Sequence, residues 1–96
     1  MKVSFHTLAE RELNEAALYY ESESAGLGAA FLAEAERAGD RILRHPETAP
    51  RLQGSIRRIF LNRFPYALLY RLDGNTVRIL AVMNLRRRPT YWVGRT

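Results

Sequence analysis

Hydrophobic and polar positions along the chain change period twice. Residues 2–7, KVSFHT, alternate, with Val3 and Phe5 on one side, which predicts a short strand. From Leu8 to about Ser22 the apolar Ala9, Leu13, Ala16, Ala17 and Tyr20 recur at helical spacing. Glu10, Arg11, Glu12, Asn14 and Glu15 occupy the opposite side. Thr7 is the expected N-cap, and Glu10 three residues later completes a capping-box pattern. Ser24 to Gly28 breaks the period with two glycines. A second helix is expected from about Leu27 to Arg44. Phe31, Ala35, Ala38 and Ile42 form its core stripe and Leu32 and Leu43 widen it, while Glu34, Glu36, Arg37, Asp40 and Arg41 face out. Pro46 and Pro50 end it, because proline lacks an N–H and restrains the residue before it.

After Gly54 the period shortens again. Ile56–Leu61, Tyr66–Leu72 and Val77–Met83 read as three strands, the last two joined by the hairpin turn Asp73-Gly74-Asn75. Pro65 can open its strand without removing a ladder bond. The order β-α-α-β-β-β predicts an α+β fold in which an N-terminal helical hairpin packs on a small, largely antiparallel sheet. At 96 residues the chain is one domain, 1–96, with no repeat, low-complexity tract or linker.

Composition adds little to this picture, but charge adds a good deal. Residues 1–48 hold 5 Lys+Arg and 9 Asp+Glu, a net of −4, whereas residues 49–96 hold 10 Arg and one acid, a net of +9. One acidic and one basic face are therefore expected, the latter suited to nucleic acid or an acidic partner. No apolar run approaches the roughly 20 residues of a membrane span, and the first residues lack a signal-peptide h-region. A chain without cysteine has no disulfide and no thiolate zinc site. The cytoplasm is the default location, with no membrane partner expected.

Candidate chemistry is sparse. The sequence has no Gly-rich phosphate loop, no metal-ligand spacing and no Ser-His-Asp pattern, so neither a metal nor another cofactor is expected. His6 and His45 flank the helices without an evident partner. The remaining constellation is Arg57, Arg58, Arg63, Arg86, Arg87, Arg88, Tyr91, Trp92 and Arg95. Guanidinium forks match phosphate geometry, and aromatic faces can stack on bases. Metal-free RNA cleavage would also require a base. Lys2 is the chain's only lysine, and neither histidine is placed near the arginines by spacing.

These residues resemble the RelE/ParE superfamily of type II toxin–antitoxin toxins over essentially the whole chain. The resemblance runs from the helix Ala9–Glu21, through Gly26–Leu32 and Pro46 with Pro50, to Ile56-Arg57-Arg58. It continues through Arg63-Phe64-Pro65-Tyr66 with Leu69-Tyr70, Ile79–Val82, and Arg86–Trp92 followed by Arg95. RelE-like members are implied to cut mRNA on the ribosome with lysines, arginines and a C-terminal tyrosine. ParE-like members are implied to poison DNA gyrase. Arg58, Arg63, Arg87 and Tyr91 match the nuclease set in kind, but the lysines are missing and Pro89-Thr90-Tyr91-Trp92 looks like the ParE or plasmid-stabilisation branch. The resemblance thus implies a growth-inhibiting toxin of ParE type that acts on gyrase without enzymatic chemistry. A cognate antitoxin would neutralise it by folding a C-terminal segment over it. A ribosome-dependent mRNA endoribonuclease is the alternative, and an inactive antitoxin-binding module a third. The basic set from Arg57 to Arg95 is expected to meet target or antitoxin.

Overall fold

The computed structural model describes residues 1–96. The elements are β1 (Lys2–Phe5), α1 (Thr7–Glu23), α2 (Leu27–Arg44), β2 (Arg51–Gln53), β3 (Ile56–Phe60), β4 (Tyr66–Asp73) and β5 (Thr76–Asn84). They build a five-stranded sheet in the order β1-β5-β4-β3-β2. β1 lies parallel to β5, and every other neighbour is antiparallel. The expected α+β plan, with a helical hairpin on a largely antiparallel sheet, is what forms. The short edge strand β2 is an addition to it.

Both faces of the sheet are covered. Leu68, Tyr70, Val77, Ile79 and Val82 meet Ala9, Ala16, Ala17, Phe31, Ala35, Ala38 and Ile42 of the helices in the main core. Tyr20, Phe31, Phe64 and Tyr66 interlock there with ring centroids 4.8–6.1 Å apart, an edge-favoured geometry for aromatic quadrupoles. On the reverse face Ala67, Leu69, Ala81 and Met83 lie beneath Trp92, so the turns after β5 fold back as a lid. No helix is long and apolar enough to cross a membrane.

Several local readings change. His6, not Thr7, is the N-cap of α1, and its Nδ1 accepts from the Leu8 N–H at 3.0 Å. The imidazole nitrogen thus satisfies one of the free amides at the helix start. Leu32 and Leu43 remain 40% and 36% exposed rather than joining the core. Glu34, expected to face out, is 5% exposed and paired with Arg37 at 3.0 Å, with its Oε2 lacking a partner. Its position on α2 is two helical turns before Arg41, which donates to the Phe60 carbonyl. That places Glu34 on the side of the helix turned toward the end of β3.

The helical hairpin closes through Glu21. Its carboxylate accepts from the Gly26 and Gly28 amides at 3.0–3.2 Å and so caps α2, whose own N-cap glycine offers no side chain. A Cβ on Gly28 would stand 2.5 Å from the Ala17 carbonyl oxygen. Gly28→Ala is therefore expected to destabilise the domain by about 2 kcal/mol, through overpacking against backbone that cannot yield. Chemical denaturation would read this as a lower midpoint at unchanged slope.

Candidate functional site

The C-terminal turns owe their position to a defect in β5. Leu69 pairs with Ala81 and Tyr70 with Ile79, so Leu80 is an extra residue, a β-bulge. β1 stops at Phe5 opposite Ile79, which leaves the β5 edge beyond it without a neighbouring strand. Two side chains complete that edge. Glu12 of α1 accepts from the Val82 N–H at 3.0 Å, and Arg95 donates to the Leu80 carbonyl at 3.1 Å. The two also form a fork-to-fork pair, with both contacts at 3.0 Å. Glu12, read as a solvating residue from its position, is thus a structural acceptor for groups 70 and 83 positions downstream.

This latch brings Tyr91 against the Arg95 guanidinium, 5.0 Å from the ring centroid, with Arg87 on the ring at 4.2 Å. Glu12, Glu15 and Tyr19 from α1, Tyr66, Val82 and Asn84 from the sheet, and Arg87 and Tyr91 line a cleft of about 250 Å³. Asn84 sets the turn that starts the arginine run. Its Oδ1 accepts from the Arg86 N–H at 2.9 Å, the short local bond typical of asparagine at turns.

The predicted arginines and aromatics separate into three groups. Arg57 points toward the helices and donates to the Glu47 and Ala49 carbonyls at 2.9 and 2.8 Å, tying down the loop before β2. Arg95 is held in the latch. Trp92 is 3% exposed, with its indole N–H on the Pro89 carbonyl at 2.7 Å. A second group is stacked: Arg58 lies 4.8 Å over Phe60, Arg63 5.4 Å over Phe64, and Arg87 over Tyr91. Arg86 and Arg88 are exposed and have no ion pair. The Leu85 N–H donates to the Pro65 carbonyl at 2.9 Å, so the arginine run and the Arg63 loop share one end of the sheet. In that loop Arg63 has φ of 49°, a left-handed conformation costly for a residue with a Cβ.

Tyr91 is a poor base. Burial pushes its phenol well above the usual tyrosine range, and the nearby Glu12 carboxylate pushes it further, while Arg95 and Arg87 oppose the rise. His6 is committed to its cap, and His45 lines a different pocket at the end of α2. No three His, Asp or Glu side chains converge as a metal site would require. All five tyrosines have raised values: burial leads for Tyr20, Tyr66, Tyr70 and Tyr91, and the Glu23 hydrogen bond leads for Tyr19. An unfolded tyrosine ionises near pH 10. These groups therefore contribute stability that is complete below pH 10 and is lost as pH rises beyond it. Absorbance at 295 nm should show little phenolate at pH 10 and a rise coincident with alkaline unfolding. A full tyrosine titration centred on pH 10 in folded protein would contradict this.

Sequence reasoning missed a second surface. Val3 and Phe5 of edge strand β1 and Leu32, Ala35 and Leu43 of α2 enclose an apolar groove of about 370 Å³, floored by Leu13, Leu68 and Ile79 and rimmed by Glu36 and Asp40. Half-exposed Leu32 and Leu43 were its only signal, two leucines beyond what the core stripe requires.

Residues 3–89 match the family model described as the ParE toxin of the type II toxin–antitoxin system, parDE. A solved structure described as the "Chromosomal ParDE TA system from P. aeruginosa" shares the fold with a TM-score of 0.64 at 16% identity. The alignment covers 88% of this chain and 96% of that one. No curated protein matches by sequence. With the family model spanning nearly the whole domain, the chain belongs to the ParE toxin family of type II toxin–antitoxin systems.

Proposed function

We propose that this protein is a cytoplasmic toxin that arrests growth by inhibiting DNA gyrase, and that a cognate antitoxin neutralises it. The observation that carries this reading is a basic end of the sheet whose tyrosine stays protonated. Arg87 stacks on Tyr91, whose raised phenol stays protonated at neutral pH, and Arg63, Arg86 and Arg88 lie at the same end of the sheet. Such a surface can grip an acidic protein or a phosphate backbone. Within the set Arg58, Arg63, Arg87 and Tyr91 no member takes the proton of a ribose 2′-OH, and Glu12 beside them is committed to Arg95 and the Val82 N–H, which disfavours an mRNA endoribonuclease built on that set.

The antitoxin reading draws on the groove. An amphipathic C-terminal segment of the antitoxin would bury its apolar residues between β1 and α2, and an extended stretch could pair with the open edge of β1. Acidic residues in the same segment would lie against the basic end. The segment orders on binding, so its release and capture can be regulated.

Supercoiling by purified gyrase, titrated with toxin alone and with antitoxin, tests the proposal. Lost supercoiling or trapped cleaved DNA, relieved by antitoxin, is the expected result. Unimpaired gyrase together with cleaved mRNA on programmed ribosomes would establish the ribonuclease instead. Silence in both assays with intact antitoxin binding would leave an inactive binding module.

A further inference from the structure

The apolar groove between β1 and α2 has a charged rim of one sign. Glu36 and Asp40 stand one helical turn apart on α2, about 6 Å along its axis, beside the groove's Leu32 and Leu43. Both are exposed, and neither has a cation: the molecule's ion pairs engage Glu12, Glu34 and Asp73. The arginines next to them in sequence are turned elsewhere. Arg37 pairs with Glu34, and Arg41 donates to the Phe60 carbonyl. No basic side chain lines the groove. Like charges at this spacing weaken a helix, whereas a glutamate–lysine pair would strengthen it, so helix stability does not account for the two acids. Solubility does not account for them either, because in a chain of net charge +5 they lower the net charge.

The apolar lining requires apolar side chains from a partner, and the rim fixes the charge that must flank them. A second copy docked groove to groove would bring two such acidic pairs together, which disfavours self-association. We infer that the groove takes an amphipathic segment of the antitoxin in which lysine or arginine flanks the apolar stripe, and that Glu36 and Asp40 select it. This rests on the proposed neutralisation by an antitoxin and adds the sign of the charge that the segment carries there. The same two carboxylates repel the acidic stretch that the basic end of the sheet attracts. The groove and the cleft at that end share no lining residue. A segment with one basic and one acidic stretch therefore settles in a single register, basic against α2 and acidic against the arginines. Slipped or reversed, it meets like charge at both places.

Glu36→Lys/Asp40→Lys tests this, read as the affinity of the full chain for purified full-length antitoxin by surface plasmon resonance. Binding should weaken at least about tenfold, since like charges then face each other across the rim. The two lysines keep the like-charge spacing of the original, so a loss is not helix damage. Glu36→Gln/Asp40→Asn should fall between this variant and wild type. Glu10→Lys/Glu47→Lys makes the same change of net charge at exposed acids outside the groove. It should alter affinity by less than about threefold, because distant surface charges are screened. Equal losses from both reversals would overturn the inference, as would unchanged or tighter binding to Glu36→Lys/Asp40→Lys. In cells that variant should arrest growth as wild type does and resist neutralisation. Antitoxin variants selected to restore neutralisation should exchange lysine or arginine for acidic or neutral residues; suppressors that add basic residues would overturn the assignment. A wild-type chain that binds no antitoxin would sink neutralisation itself, whereas wild-type binding that the reversal leaves intact would sink only the charge assignment.

Discussion

Replacing Arg86, Arg87 and Arg88 together with glutamate is expected to abolish growth arrest while leaving the fold in place. All three side chains are exposed, and none forms an ion pair. The local structure they leave behind rests on other atoms: the Asn84 side chain on the Arg86 amide, the Arg87 amide on the Asn84 carbonyl, and the Leu85 amide on the Pro65 carbonyl. Only Arg87 has a packing role, over the Tyr91 ring, and an exposed cation–π contact is worth about 0.5–1 kcal/mol. The reversal moves the charge of this end by six and turns attraction for an acidic or phosphate surface into repulsion. A glutamate at position 87 would also face Glu12 and Glu15 across the cleft. A companion variant, Arg86→Glu/Arg87→Gln/Arg88→Glu, therefore removes the contact without adding that local repulsion. Both should show native circular dichroism and no arrest on induction. Full arrest with native dichroism would remove this end of the sheet from the target interface.

The periodic part of the fold is legible in the sequence because each helix and long strand buries one regular face. α2 starts and ends where its stripe and prolines place it, and β3, β4 and β5 differ from expectation by a residue at most at each end. β2 was missed because its three residues, Arg51, Leu52 and Gln53, are all exposed and carry no alternation. The parallel pairing of β1 with β5 joins residues some seventy positions apart, and no local pattern encodes that. The same distance hid the latch. Glu12 has the spacing of a surface carboxylate, and Arg95 reads as one more cation. Only the bulge at Leu80 and the early end of β1 create the unpaired N–H and carbonyl that need them. Arg57 and Arg58 make the opposite case. Adjacent strand residues point to opposite faces, so one of the pair had to face the helices. The sequence could not tell which, because the carbonyls that receive Arg57 belong to the irregular loop of Glu47 and Ala49.

Glu12→Ala should produce the largest loss of stability of any single exposed-face substitution in α1. The Glu12 and Arg95 side chains are 13% and 12% exposed, so the pair is largely dry. Removing one member leaves the other charge unpaired and the Val82 N–H without its acceptor, and breaking a buried pair in this way costs about 3 kcal/mol or more. For a domain of this size that corresponds to a melting temperature lower by about 12 °C or more. Glu12→Gln keeps an acceptor for Val82 but not the charge, and should fall between wild type and alanine. The loss should also be strongly coupled: Glu12→Ala/Arg95→Ala is expected to be far less destabilised than the sum of its singles, since neither charge is then stranded. A spectroscopic reading separates this latch from generic helix damage. Glu12 helps hold the Tyr91 phenol up, so its removal should bring that phenol down toward the ordinary tyrosine range before the domain unfolds. The tail that Arg95 pins also carries Trp92 over Met83 and Leu69. Glu12→Ala should therefore shift tryptophan emission to the red while far-ultraviolet dichroism is still native. Unchanged stability and an unshifted emission would mean that the C-terminal turns hold to the sheet through Trp92 alone.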